Sequence, residues 1–160
     1  MKTFMKFTVL AFGLLLAVSV VAQDDGEELK VTAIEALIAA PPERAMPLVQ
    51  KVLAGNSSDR VKEKALFILS QIDDPEAQAT LLRFATESSG ELQHEAIRMI
   101  GIGGNRDALV NLGSVYEQGD SETREAVLEA LMIAGDKQAV FDIAVSAEGD
   151  DFEEAVDMLA

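Results

Sequence analysis

The sequence predicts an all-α fold, an α-solenoid of about four to five antiparallel helix pairs, and three observations carry that prediction. The first is a repeat. Lys64-Ala65-Leu66-Phe67-Ile68-Leu69, Glu95-Ala96-Ile97-Arg98-Met99-Ile100, Glu125-Ala126-Val127-Leu128-Glu129-Ala130-Leu131 and Glu154-Ala155-Val156-Asp157-Met158-Leu159 share one pattern. Their alanines Ala65, Ala96, Ala126 and Ala155 lie 31, 30 and 29 residues apart. Such a period marks stacked supersecondary units, each of which buries its apolar face only against a neighbour. The second observation is that apolar residues recur at helical spacing inside every copy, with no strand-like alternation between turn signals. The third is that Gly, Asn, Asp and Ser cluster between the periodic runs, where short helix connections need them.

The elements follow in order. Residues 1–22 read as an export signal: Lys2 and Lys6 form a positive start, Phe7 to Ala22 is apolar apart from Thr8, Gly13 and Ser19, and cleavage is expected between Ala22 and Gln23. The alternative, an uncleaved anchor, fits less well because the run falls short of the ~20 apolar residues that span a bilayer. Residues 23–28 form an acidic tether, and 29–160 form the repeat domain. The first helix is expected over about Glu27 to Ala39, with Leu29, Ala33, Ala36 and Leu37 on its apolar stripe. Pro41-Pro42 stops it, since proline cannot continue a helix. The second, about Glu43 to Leu53, carries Met46, Val49, Val52 and Leu53, with Pro47 as a site for a kink. Asn56-Ser57-Ser58 matches an N-glycosylation pattern but reads first as a turn.

Three copies of one plan follow. An A helix runs from about Arg60 to Gln71 on Val61, Ala65, Ile68, Leu69 and Ile72. Its B helix starts at Asp74-Pro75-Glu76, where Asp74 caps the free amides and Pro75 suits the first helical position. Leu81, Leu82, Phe84 and Ala85 are its expected buried residues, to about Thr86. Ser88 to Glu91 fits a capping box. The second copy is Leu92–Ile102, a turn at Gly103-Gly104-Asn105, then Arg106–Glu117; the third is Glu122–Ile133, Ala134-Gly135-Asp136, then Lys137–Ser146. A last A helix is expected over Phe152–Leu159, opened by Gly149-Asp150-Asp151 and lacking a B partner. That unpaired end predicts either a fragment of a longer array or self-association through the open C-terminal end. The repeated alanine is expected to let helices approach closely.

Charge and cysteine content narrow the class. Thirteen Lys and Arg stand against 28 Asp and Glu, a net charge of −15. Removing residues 1–22 takes away two lysines and no acid and carries it to −17. Nucleic acid and anionic lipid share that sign, so neither is an expected partner. No Cys is present, which excludes disulfides, thiol catalysis, cysteine zinc sites and covalent haem attachment. Charges interrupt every helix after residue 22, so no later segment is expected to span a membrane.

The pattern resembles HEAT repeats, in particular the short HEAT-like variety also found in phycobilisome lyases. The best copy is Ser121-Glu122-Thr123-Arg124-Glu125-Ala126-Val127-Leu128-Glu129-Ala130-Leu131-Met132-Ile133-Ala134-Gly135-Asp136-Lys137-Gln138-Ala139-Val140. The resemblance covers about Val31 to Ala160. Tetratricopeptide repeats are the rival, but their Trp/Gly/Tyr/Pro pattern is missing. The resemblance implies A helices on the convex side, B helices on the concave side, and a partner docking on the B side.

Candidate site residues are few. His94 is the only histidine and reads as a solvated group on the polar side of an A helix. Asp73-Asp74-Pro75-Glu76 and Gly149-Asp150-Asp151-Phe152-Glu153-Glu154 lack the spacing of a calcium loop and read as helix-start acids. With one histidine and no Gly-rich phosphate loop or nucleophile elbow, no catalytic, metal or cofactor site is expected. Aligning the B helices on Ala54, Ala85, Val115 and Ala144 puts Val52, Arg83, Gly113 and Asp142 in one column, and Gln50, Leu81, Asn111 and Val140 in another. Arg and Tyr are favoured interface anchors. Arg83, Asn111, Tyr116 and Asp142 are the expected protein-binding residues. The reading is an exported, non-catalytic scaffold, periplasmic or extracellular, that binds another protein. Alternatives are an enzyme or chromophore-handling protein related to the HEAT-like bilin lyases, and a structural part of a larger envelope assembly.

Overall fold

A computed structural model describes residues 26–146, together with Glu153, Val156 and Asp157, which are helical. The export segment and most of the last expected A helix lie outside the described residues.

Residues 26–35 form α1, which tightens into a 3-10 turn at Ala36–Ala39. It therefore reaches into the stretch read as a tether. Ala40 and Pro41 then take extended backbone, with ψ of 148° and 143°, as the residues ahead of a proline must. The remaining helices are α2 (Pro42–Ala54), α3 (Asp59–Ser70), α4 (Pro75–Glu87), α5 (Glu91–Gly103), α6 (Arg106–Gln118), α7 (Ser121–Ile133) and α8 (Lys137–Ser146). No strand occurs among the described residues.

The helices pack as two layers. α3, α5 and α7 lie side by side in the A layer, and α4 packs on α6 in the B layer. Each A helix also packs on its own B helix, and α2, α4 and α6 each pack on the A helix that follows. One apolar core runs through the stack. Leu66, Ile68, Leu69, Leu81, Ile97, Ile100, Leu112 and Leu128 are wholly buried in it. Burying side chains of this size contributes about 1.5–3 kcal/mol each, which is what holds together units too small to fold alone.

Local causes set each boundary. The B helices start on a periodic cap: Asp74 accepts the Glu76 N–H at 2.8 Å, Asn105 the Ala108 N–H at 3.1 Å and Asp136 the Ala139 N–H at 3.1 Å. These three caps are 31 residues apart. Pro75 occupies the first turn of α4, where no amide partner is lost. α5 begins after Gly90 at φ 61° and ends at Gly104 at φ 64°, left-handed positions that favour glycine. Pro47 lies inside α2 yet the helix continues from Pro42 to Ala54. The proline is exposed, so the carbonyl it leaves without an amide partner sits on the watered side.

Three local expectations are corrected. On α1 the buried stripe is Val31 and Ile34, with Leu37 half-buried; Leu29 is 71% exposed and Ala33 and Ala36 face solvent. Three large side chains facing α3 bury more apolar area than one leucine and two alanines. Exposed ion pairs, Arg60–Glu27 at 3.9 Å and Lys64–Glu35 at 3.5 Å, flank that contact and add little to it. The capping box at Ser88 does not form. Ser88 closes α4 by donating its N–H to the Phe84 carbonyl, and Glu91 is the first residue of α5. The repeated alanine is fully buried at Ala65 and Ala96 but only half-buried at Ala126, and the small residue whose backbone comes closest between α5 and α7 is a different one. It is Gly101: a Cβ there would stand 2.5 Å from the Ala130 carbonyl oxygen and 2.8 Å from its Cα.

Candidate functional site

The B-layer surface is built by the caps just described, because they fix the register of α4, α6 and α8. Equivalent residues are those counted from the helix starts Pro75, Arg106 and Lys137, which are 31 residues apart. In that register Asn111 and Asp142 are equivalent, and Arg83 matches Ser114 and Val145. The alignment on C-terminal alanines mixes faces instead. It sets exposed Asn111 beside Leu81 and Val140, both wholly buried.

The four expected residues are placed as follows. Arg83 is exposed on α4, its guanidinium 5.6 Å from the Phe84 ring centre. Asn111 is exposed on α6 and donates its amide to the Asp107 carbonyl at 2.7 Å. Asp142 is exposed on α8 and accepts from Gln138 at 2.8 Å. Tyr116 is half-buried against the core. Arg124 of α7 covers its ring at 5.6 Å and donates to its carbonyl at 3.3 Å, which ties α6 to α7. The first three share the exposed B layer, whereas Tyr116 sits in the seam between the layers.

Two half-open clefts lie on this side. One, of about 250 Å³, runs between α4 and α6 past Asp73, Gln78, Leu82, Asn105, Asp107 and Asn111. The other, of about 220 Å³, lies among Ala85, Gln93, Ser114 and Gln118. Gln93 is engaged there on both sides, donating to the Ala85 carbonyl at 2.9 Å and accepting from Thr123 at 3.4 Å.

Gln78 was not singled out from the sequence. It is buried at a position where α2, α6 and α8 hold Ala45, Leu109 and Val140, all buried. A polar residue in an otherwise apolar column is the signal that finds it, once the caps set the register.

Charged groups elsewhere have structural explanations. Asp120 caps α7 by accepting the Thr123 N–H at 2.9 Å, and this bond holds its carboxyl below the usual range, helped by the Thr123 side chain and by His94. His94 is thus half-buried and electrostatically coupled to a cap rather than fully solvated. Glu63 of α3 is pushed up, first by burial and then by Glu95, Glu91 and Asp59. Arg98 opposes that shift and is itself paired with Glu95. No group of three or more His, Asp or Glu among the described residues could hold a metal ion. No helix among them is long and apolar enough to cross a membrane.

Stacked antiparallel helix pairs of this length, sharing one core and repeating one cap, define a helical repeat scaffold. A family model described as HEAT repeats matches residues 16–92, from within the apolar N-terminal segment to the start of α5. α5 to α8 continue the same plan beyond it. The chain folds as an all-α, HEAT-like solenoid. No curated protein and no solved structure matches it.

Proposed function

We propose that this chain is an exported, non-catalytic scaffold that binds another protein through the outer face of its B helices. The observation that carries the reading is a row of exposed apolar residues in register. Val110 of α6 and Phe141 of α8 occupy equivalent positions and are 72% and 53% exposed, and Val145, one turn beyond Phe141, is 69% exposed. Asn111, Asp142, Asp107 and Glu117 surround them. An apolar strip with a polar, acidic rim is the anatomy of a docking surface. The net charge of −15 favours a partner that is basic on its facing side.

Export is supported by Lys2 and Lys6 ahead of the apolar run that ends at Ala22. Mass measurement on protein from the envelope and from the medium is expected to find a chain beginning at Gln23. Recovery of the uncleaved chain from the cytosol alone would sink this part. For the binding face, affinity capture is compared between the parent and Val110→Glu plus Phe141→Glu. The captured partner is expected to be lost from the variant. Equal recovery from a folded variant would move the surface elsewhere.

A further inference from the structure

The α4–α6 cleft holds a polar group that folding alone does not explain. Gln78 is 9% exposed and lines the cleft floor. Its Nε2 donates to the Ile72 carbonyl at 3.4 Å, a long bond. Its Oε1 is buried with no hydrogen-bond partner among the described residues. A buried acceptor left without a donor costs stability, and an apolar residue of similar size would not incur that cost. The neighbouring pairs hold Ala45, Leu109 and Val140 at the same position. The lone glutamine therefore weakens the fold at a B-helix position that opens on a cleft.

The chemistry of the rim says what the acceptor is for. Asp73 and Asp107 line the cleft as exposed carboxylates. The helix starts that would attract an anion are already occupied, α4 by the Asp74 carboxylate and α6 by the Asn105 side chain. No Lys or Arg lines the cleft. An acceptor on the floor and carboxylates at the rim select a positively charged hydrogen-bond donor. Leu82 supplies an apolar wall for the alkyl stem of a long cationic side chain. Turning Oε1 into the cleft takes a rotation about the soft terminal torsion and gives up the long Nε2–Ile72 bond.

We propose that this cleft receives a lysine or arginine side chain of a protein partner, with Gln78 as its acceptor and Asp73 and Asp107 as its counter-charge. The proposal names the partner chemistry of the B-layer surface and so rests on the scaffold reading, but its test needs no natural partner.

The probes are the blocked tripeptides Gly-Arg-Gly and Gly-Lys-Gly, titrated into the purified protein and followed by amide NMR. The citrulline tripeptide is the neutral control and inorganic phosphate the anionic one. Either cationic peptide is expected to shift the Gln78 and Asn111 side-chain amides, with citrulline at least about tenfold weaker. Gln78→Leu is expected to abolish these shifts and to raise Tm. Asp73→Asn plus Asp107→Asn is expected to weaken binding about tenfold at unchanged Tm. A lower Tm for Gln78→Leu would make the glutamine a structural tie to Ile72 and overturn the proposal. So would equal binding of citrulline, or stronger shifts from phosphate. Cleft binding of arginine peptides without capture of any protein would instead refute the scaffold reading alone.

Discussion

Replacing a glycine by alanine in a helix normally stabilises it by about 0.5–1 kcal/mol, because alanine loses less backbone freedom on folding. The structure predicts opposite outcomes at two glycines of neighbouring helices. Gly113 lies in the middle of α6, exposed, and a Cβ there meets nothing within 4 Å. Gly113→Ala is expected to give the full gain. Gly101 lies in α5 against α7, where a Cβ would meet three backbone atoms of Ala130 at 2.5, 2.8 and 3.0 Å. A backbone cannot swing aside as a side-chain tip can. Ordinary carbon contact lies near 3.5 Å, so α5 and α7 must part by about 1 Å. A gap of that size forfeits a quarter to a half of each dispersion contact across the crossing. Overpacking of a core costs about 1–3 kcal/mol, occasionally more. Net of the helix gain, Gly101→Ala is expected to destabilise by about 2 kcal/mol, a fall in Tm of about 5–10 °C. Thermal and urea melts followed by circular dichroism read both variants. The crossing lies mid-array, so the variant also tests whether the halves still melt together, through its m-value. The close-approach reasoning is refuted if Gly101→Ala melts at or above the parent temperature.

Other expectations follow from the same geometry. Asn105→Ala and Asp136→Ala each remove a B-helix cap and are expected to cost about 1 kcal/mol, read as a lower urea midpoint at constant m. Leu66→Ala, at a wholly buried site, is expected to cost about 2–5 kcal/mol; a loss below 1 kcal/mol would mean that α3 is not enclosed on two sides. Glu63 is pushed above the usual 4.5 in the folded chain, so its contribution is most favourable below 4.5 and is lost as pH rises through the folded value. Glu63→Gln should therefore raise Tm at neutral pH, and the advantage should shrink below pH 4.5. Asp120 has the opposite sign. Its carboxyl is held below 3.8, so its stability is present above 3.8 and disappears as pH falls through the folded value. Asp120→Ala should lower Tm at neutral pH and converge on the parent in strong acid.

Architecture was largely legible because it rests on signals local in sequence. Helical periodicity, Gly-rich connections and Asp74-Pro75 placed α2 to α8 to within a residue or two at most ends. What escaped was set by neighbours. Helical periodicity leaves Leu66 off the α3 stripe because one amphipathic face cannot reveal that α3 has α2, α4 and α5 around it. Leu29 misled because two apolar stripes compete on α1, and only the packing against α3 decides between them. The candidate site was less legible for a related reason. The alanine column that shows the repeat is not the column that fixes the B-helix register. The caps at Asp74, Asn105 and Asp136 fix it, and from them Arg83 parts from Asp142 while Gln78 emerges as the polar exception.

The two layers divide the work of the fold, and the division follows from residue size. In the A layer Ala65, Ala96, Ala130 and Gly101 are fully buried small residues, and the backbones close to contact. Gly103 repeats the device against α3, where a Cβ would stand 3.1 Å from the Ser70 carbonyl oxygen. The A helices are thereby fastened to one another and share more extensive contact than α4 and α6 do. In the B layer the positions facing the neighbouring helix carry longer or polar side chains, among them Gln78, Leu82 and Asn111, and both clefts open on that side. Stability is thus concentrated where no gap remains for a partner. The proposed recognition surface is the layer whose helices stand apart, and that is where the sequence admits a buried polar group, Gln78, at the expense of packing.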